Sequence, residues 1–300
     1  MCKKRICLFV RPTAIEGHPM IMAGIFIWLF TVNPDVRAQR VYADTDQITS
    51  TLLAGVTNRA NALTSNPATY SEVYANLSLA GLTSAAQNLR FTGANGNPVP
   101  RSSSPIMVRF GNSASLVGIL DNIAFQRTNG GINNTVGTAY TSSTLANLLT
   151  LFSTPGATEA IVPIPNNSSL PSDGIRLRVS SVLGLSVRAR YYHAFFIVPP
   201  VPGNSEIAVC EGDQVPITIS NFYPGYVYRA YNTLTGGTQI GGDNTTASFS
   251  YATAQIPASG NLWIEAAEVN GQFRYPSART PITVTISPKP GPPSLQLSGD

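Results

Sequence analysis

The chain has 300 residues, of which 43% are hydrophobic and only 11% charged, with 25 Gly and 23 Pro. Disorder needs low hydrophobicity and high net charge, so this composition excludes it and points instead to many short strands joined by turns. The formal net charge of +4 sits mostly in residues 1–38, where Lys3, Lys4, Arg5, Arg11 and Arg37 face Glu16 and Asp35; the remainder carries about +1, with Lys289 its sole lysine, which is no electrostatic footprint for nucleic acid.

Lys3-Lys-Arg5 supplies a basic start, and Met20 to Val32 form an uncharged apolar run ended by Pro34 and Asp35. Val36-Arg-Ala38 then offers small or modest residues before Gln39, the pattern of a cleaved signal peptide over 1–38. The run is shorter than the roughly 20 residues needed to span a bilayer. The mature chain is therefore expected to be secreted, extracellular or at the cell surface, and not membrane-spanning. Cys210 is the one cysteine beyond this segment, so export rests on the signal and not on a disulfide framework.

Residues 41–199 read as strand after strand. Gln87 to Phe91 alternates, Pro105 to Phe110 is a short apolar run, and Leu116 to Gln126 holds one bent strand or two. Thr144 to Leu151 permits a helix or a buried strand. The clearest period-2 patterns are Ile175-Arg-Leu-Arg-Val179 and Leu185-Ser-Val-Arg-Ala-Arg190, which turn Arg176, Arg178, Arg188 and Arg190 outward. Tyr191 to Val198 carries the last strand to Val198-Pro-Pro-Val-Pro-Gly203, the first of two proline-rich joints. Strand packing is the expected role of Tyr191, Tyr192, Phe195 and Phe196.

Asn58-Arg-Ala-Asn-Ala-Leu-Thr-Ser-Asn-Pro-Ala-Thr-Tyr-Ser71 resembles the entry of discoidin-like, galactose-binding-like jelly rolls, and Asp173 to Val179 resembles the near-terminal strand of that fold. The resemblance implies a jelly-roll β-sandwich over 41–199. In that family a turn aspartate helps hold a structural calcium; Thr64 stands at the matching position here, and a hydroxyl is a poorer ligand for a hard cation than a carboxylate. No cofactor is expected, and Asp44 and Asp46 form too common a pattern to replace the aspartate. The resemblance also implies sugar binding through loops at one end of the sandwich. A sugar site needs an aromatic face and a few polar groups; Tyr70, Tyr74 and Tyr140 are the candidates, with Tyr191 and Tyr192 also available.

Residues 204–288 again alternate: Val215-Pro-Ile-Thr-Ile219, Tyr226 to Tyr231, Ala247 to Tyr251, Leu262 to Ala267 and Thr280 to Ile286, with turns at Glu211-Gly-Asp213, Gly236-Gly237 and Gly241 to Asn244. About seven short strands suggest an immunoglobulin-like sandwich. "Val-Cys-Glu-Gly-Asp" at 209–213, "Gly-Asn-Leu-Trp-Ile-Glu-Ala" at 260–266 and the segment 277–286 resemble bacterial immunoglobulin-like repeats of long surface proteins, many exported by type IX secretion. The alignment puts Ile264 at the position of the second cysteine of such domains, so Cys210 is expected to be a buried, small apolar residue. If Leu262, Ile264 and Ala266 face inward, Trp263 faces out with Glu265, either as a binding anchor or as the cover of a joint or edge. Pro288-Lys-Pro-Gly-Pro-Pro293 forms the second joint, and 289–300 reads as a linker and the start of a further domain, with more domains expected beyond Asp300.

The mature segment has one histidine, His193, in an aromatic strand, and shows no zinc spacing, phosphate loop or nucleophile elbow. Paired carboxylate chemistry is not excluded by spacing, but small sandwiches seldom carry it, and no enzymatic activity is expected. The expectation is an all-β, tandem-domain bacterial protein in adhesion or carbohydrate binding. Its partner would be a glycan or other surface polymer, its immunoglobulin-like domain a spacer, and its ligand contacts Tyr70, Tyr74, Tyr140 and Trp263. The alternatives are a structural stalk or the non-catalytic front of a larger secreted hydrolase.

Overall fold

The computed structural model describes residues 40–76, 83–181, 186–289 and 291, all within one compact unit, Val36–Asp300. The segment expected to be an export signal and most of the second proline joint lie outside the described residues. Among those described, no helix is long and apolar enough to cross a membrane.

Two sandwiches follow one another. The front sheet of the first contains β1 (Arg40–Tyr42), β3 (Ala54–Thr57), β4 (Ser71–Ala75), β6 (Ile106–Gly111), β9 (Glu159–Ile164) and β11 (Val187–Ile197). Its back sheet contains β2 (Thr45–Ser50), β5 (Thr83–Arg90), β7 (Ile123–Thr128), β8 (Thr135–Tyr140) and β10 (Gly174–Ser181). The front order is β3-β4-β11-β6-β9, with β1 also on β11, and the back order is β2-β5-β10-β7-β8. The pairs β4·β11, β5·β10, β6·β9 and β7·β8 are all antiparallel and nested. A long hairpin wrapped so that its rungs fall alternately on two sheets is a jelly roll.

Alternation builds the core between these sheets. Ile175, Leu177 and Val179 of β10 are fully buried, while Arg176 is half-buried and Arg178 exposed. Val73, Val108, Phe110, Phe125, Val162 and Tyr191 join them in one cluster, with Phe125 edge-on to both Phe110 and Tyr191. The segment 116–126 resolves into a 3-10 turn, Val117–Asn122, followed by β7. Thr144 to Leu151 lies in a helix, α1 (Ser142–Phe152). Leu145 and Leu149, one turn apart, are its buried stripe, and the Thr144 hydroxyl accepts from the Thr141 N–H at 2.9 Å to start it.

Arg127 is fully buried in this core, and among the described residues its partners are a hydroxyl and two carbonyls and not a carboxylate. Its guanidinium donates to Ser172 Oγ at 2.7 Å and to the Ser104 and Ile164 carbonyls at 3.0 Å, which ties two loops to β9; burial pulls its pKa down to about 9.

The second sandwich has a sheet of order β12-β19-β17-β14-β15, with β18 on β17, facing the pair β13-β16. These are β12 (Glu206–Cys210), β13 (Gln214–Thr218), β14 (Tyr226–Tyr231), β15 (Gln239–Asn244), β16 (Ser248–Ala252), β17 (Asn261–Asn270), β18 (Phe273–Pro276) and β19 (Thr280–Ser287). Val215, Ile217, Tyr228, Tyr251, Leu262, Ile264 and Ile282 fill its core. Eight strands stand where about seven are expected, because β18 and β19 together pair along β17 as one interrupted strand. Cys210 is half-buried at the end of β12, which runs parallel to β19, instead of in the core; Ile217 of β13 and Ile264 fill the interior.

The first proline joint is not a free spacer. Asn221 accepts from the Val201 N–H at 2.7 Å and donates to the Pro199 carbonyl at 3.1 Å, and the Gly203 N–H donates to the Thr218 carbonyl at 2.7 Å. The sandwiches also share a core. A bulge between Tyr191 and His193 rotates the end of β11, so that Ala194 and Phe196 point into the first core while Phe195 and Ile197 join Met107 in the apolar cluster of the second. Each such burial is worth about 1.5–3 kcal/mol. Arg40 lies 4.5 Å over the Phe195 ring and makes a two-pronged ion pair with Glu268, and Phe152 stacks on Tyr275 at 6.0 Å.

Candidate ligand-binding face and cleft

Tyr70 lies just before β4 and Tyr74 within it, four residues apart and on the same face of the front sheet. That face is the outer one, since Val73 and Ala75 are buried between the sheets. The outward residues of β11, Arg188, Arg190 and Tyr192, stand beside them, and Arg109 follows on β6. The guanidiniums of Arg188, Arg190 and Arg109 lie 5.5, 4.8 and 4.9 Å from the ring centres of Tyr74, Tyr70 and Tyr192. Tyr70 and Tyr192 meet edge to face at 5.3 Å. The result is a strip in which aromatic rings and planar donors alternate across three strands.

Two carboxylates orient the arginines. Glu72 pairs with Arg188, and Glu159 accepts from Arg109 at 2.7 Å. Tyr192 is buried, which raises its hydroxyl above the ordinary phenol range, an effect that an Arg190 hydrogen bond partly offsets; it is a neutral group at physiological pH. Gly111 allows this packing: a Cβ there would meet the Thr158 carbonyl at 2.8 Å and the Tyr192 ring at 3.2 Å.

At Arg109 the strip runs into a cleft of about 270 Å³ between the sandwiches. α1 delivers Phe152 to one wall, β9 contributes Glu159, and the β17–β18 hairpin supplies Asn270, Phe273 and Tyr275. The stacked Phe152 and Tyr275 lie side by side in this lining, Tyr275 buried and Phe273 half-buried. His193 is enclosed nearby, edge-on to Tyr42 at 5.3 Å, and both of its ring nitrogens lack a hydrogen-bond partner among the described residues. Burial first, then Arg109 and Arg40, lower its pKa to about 4.

Of the four residues expected to contact a ligand, the structure brings only Tyr70 and Tyr74 together. Tyr140 is on the edge of the back sheet, its hydroxyl donating to the Pro165 carbonyl at 3.2 Å, where it anchors a loop. Trp263 is half-buried on the second sandwich, opposite Tyr231 and Pro281. Glu265, expected outside with it, is buried under Arg279, which donates to it at 3.3 Å and lies 3.4 Å over the Tyr231 ring. Burial raises the Glu265 pKa, and Arg279 counters part of the rise.

The residues weighed for calcium have protein partners. Asp44 accepts from the Thr92 N–H and hydroxyl at 3.0 Å, Asp46 pairs with Arg59 at 2.9 Å, and the Thr64 hydroxyl donates to the Asn61 carbonyl at 3.0 Å. Among the described residues no three His, Cys, Asp or Glu side chains gather as a metal site would require. Arg109, Asn270 and Phe273 were not legible as site residues; period-2 alternation turned Arg188 and Arg190 outward without marking them as part of a site, and only the fold shows which tyrosines they meet.

Residues 199–288 match the model of the "Ig-like domain CHU_C associated", so the second sandwich is immunoglobulin-like by sequence as well as by shape. No curated protein matches the chain at a significant level. Among solved structures, a β-1,2-glucanase from Parabacteroides distasonis aligns over 84% of this chain and 37% of its own, at 12% identity and a TM-score of 0.33. The BSP domain of a biofilm-associated protein aligns over 76% of this chain and 54% of its own, at 10% identity and a TM-score of 0.21. The chain thus spans less than two thirds of either, and likenesses this low support no functional argument.

Proposed function

We propose that this chain is a non-catalytic adhesion protein, exported to the bacterial cell surface or beyond it, that binds a glycan or another surface polymer through the outer face of its first sandwich. The observation that carries this reading is the alternation of the half-buried Tyr74 and Tyr70 and the buried Tyr192 with Arg188, Arg190 and Arg109 on the outer face of the front sheet. Sugar rings need apolar faces to lie against and fixed polar groups to orient their hydroxyls, and arginine supplies planar, multi-donor groups in a fixed geometry. The match of residues 199–288 to an Ig-like domain model is consistent with such a setting.

The test is binding of the full chain to immobilised polysaccharides, with Tyr70→Ala and Tyr74→Ala alone and together. The double variant is expected to lose about tenfold or more in affinity, as truncated aromatic anchors do, with its melting temperature held within a few degrees. Silence of the unaltered chain across neutral and acidic glycans would end this reading.

One observation favours a second reading, a structural stalk. The shared core and the Arg40–Glu268 pair fix the two sandwiches as one body, which suits a part that projects something else. A stalk predicts no saturable binding to any glycan.

A further inference from the structure

The cleft at the end of the strip draws on both sandwiches, and we infer that it is a subsite for a single uncharged pyranose ring, completed by Asn270 and Phe273 of the immunoglobulin-like sandwich. This rests on the reading of the strip as a glycan-binding face, and it makes the second sandwich part of the site instead of a spacer.

The size, charge and chemistry of the cleft point the same way. Its volume of about 270 Å³ falls just below the ~300 Å³ at which pockets begin to hold drug-sized ligands, so it has room for one ring. Arg109 and Glu159 neutralise one another across 2.7 Å, and the other polar lining groups, Ser153, Thr154, Asn270 and the Tyr275 hydroxyl with which Asn270 hydrogen-bonds, are uncharged. No net charge is left to select a phosphate or a uronate. Polar groups beside an aromatic wall suit vicinal hydroxyls: guanidinium and amide N–H groups donate to them, while the carboxylate and the amide oxygen accept.

The placement also fits a polymer. Arg109 touches the strip through Tyr192 and the cleft through Glu159, so one chain can lie along the tyrosines and set a ring between the sandwiches. Because β11 holds its bulge at Tyr191 to His193, the sheet face bends from exposed to covered at that point, which gives the strip an end.

The experiment uses the full chain and named probes: laminarin, maltoheptaose and mannan as neutral glycans, polygalacturonate and heparin as acidic ones. Affinities are measured by calorimetry for the unaltered chain and for Asn270→Ala, Phe273→Ala and Tyr70→Ala. Asn270 is exposed, so its variant keeps the fold even if Phe273→Ala does not. The expected result is binding to at least one neutral probe, weakened about fivefold to tenfold by Asn270→Ala and more by Phe273→Ala. If Tyr70→Ala weakens binding while Asn270→Ala and Phe273→Ala leave it within twofold, the cleft is not a subsite and the strip stands. If only acidic probes bind, the neutral assignment is wrong. If none bind, both the subsite and the glycan reading fall.

Discussion

Acid should loosen this protein through His193 before its carboxylates titrate. The ring is buried among Tyr42 and Phe195, with Arg109 and Arg40 as its nearest cations and Glu159 as its nearest anion, and its pKa falls from 6.5 to about 4. A group with a depressed folded-state pKa binds its proton more readily when the chain is unfolded, so the stability it permits is complete above pH 6.5 and is lost as pH falls toward 4. From these two values the loss between pH 7.5 and pH 5 is about 2 kcal/mol, rising to about 3 kcal/mol at pH 4. His193→Phe keeps an aromatic ring among aromatic neighbours and cannot be protonated. Urea unfolding of both proteins at pH 7.5, 6 and 5 isolates the effect, because losses from carboxylates are common to the two. The stability difference between variant and parent should shift by about 2 kcal/mol in favour of the variant over that range. Parallel pH profiles, within about 0.5 kcal/mol, would show that the ring is solvated or finds a partner, and would refute the reasoning.

Other expectations follow from the same contacts. Arg279→Leu removes the cation over Glu265 and leaves that carboxyl buried beside Tyr231; the second sandwich should lose about 2–3 kcal/mol at pH 7. Because burial already raises the Glu265 pKa, the penalty should shrink toward pH 4 as the carboxyl is protonated, a trend that melts at the two pH values would reveal. Glu268→Ala breaks the half-buried pair with Arg40 and should cost about 1–2 kcal/mol, with faster proteolysis across residues 198–203 as its sign. Phe125→Ala empties the centre of the first core and should cost about 3–5 kcal/mol in denaturant. Gly111→Ala should displace Tyr192, weaken glycan binding and lower the melting temperature, because its Cβ would meet the Thr158 backbone carbonyl at 2.8 Å as well as the Tyr192 ring at 3.2 Å.

The strands of both sandwiches were legible because period-2 alternation survives in sequences such as Ile175 to Val179 and Val215 to Ile219, whereas the jelly roll was expected only from the resemblance of residues 58–71 and 173–179. The helix α1 stayed ambiguous because Leu145 and Leu149 fit either a buried strand or one face of a helix. The site was half legible for a related reason. Spacing along one strand reveals that Tyr70 and Tyr74 share a face, but only the β4·β11·β6 pairing reveals that Arg188, Arg190 and Arg109 lie against tyrosines. Tyr140 and Trp263 look equally available in sequence, and topology alone sends them to a back-sheet edge and to another sandwich. Glu265 misled because outward alternation was equated with exposure, whereas Arg279 and Tyr231 cover it. The proline joint differs similarly from what its composition suggests, because Asn221 and the Thr218 carbonyl tie it to the second sandwich.

The most direct measurement of the central claim is the affinity of the full chain for a neutral polysaccharide before and after Tyr70→Ala/Tyr74→Ala. The account predicts saturable binding that falls by about tenfold or more in the double variant while the fold is retained. Unchanged affinity in a folded double variant would contradict it.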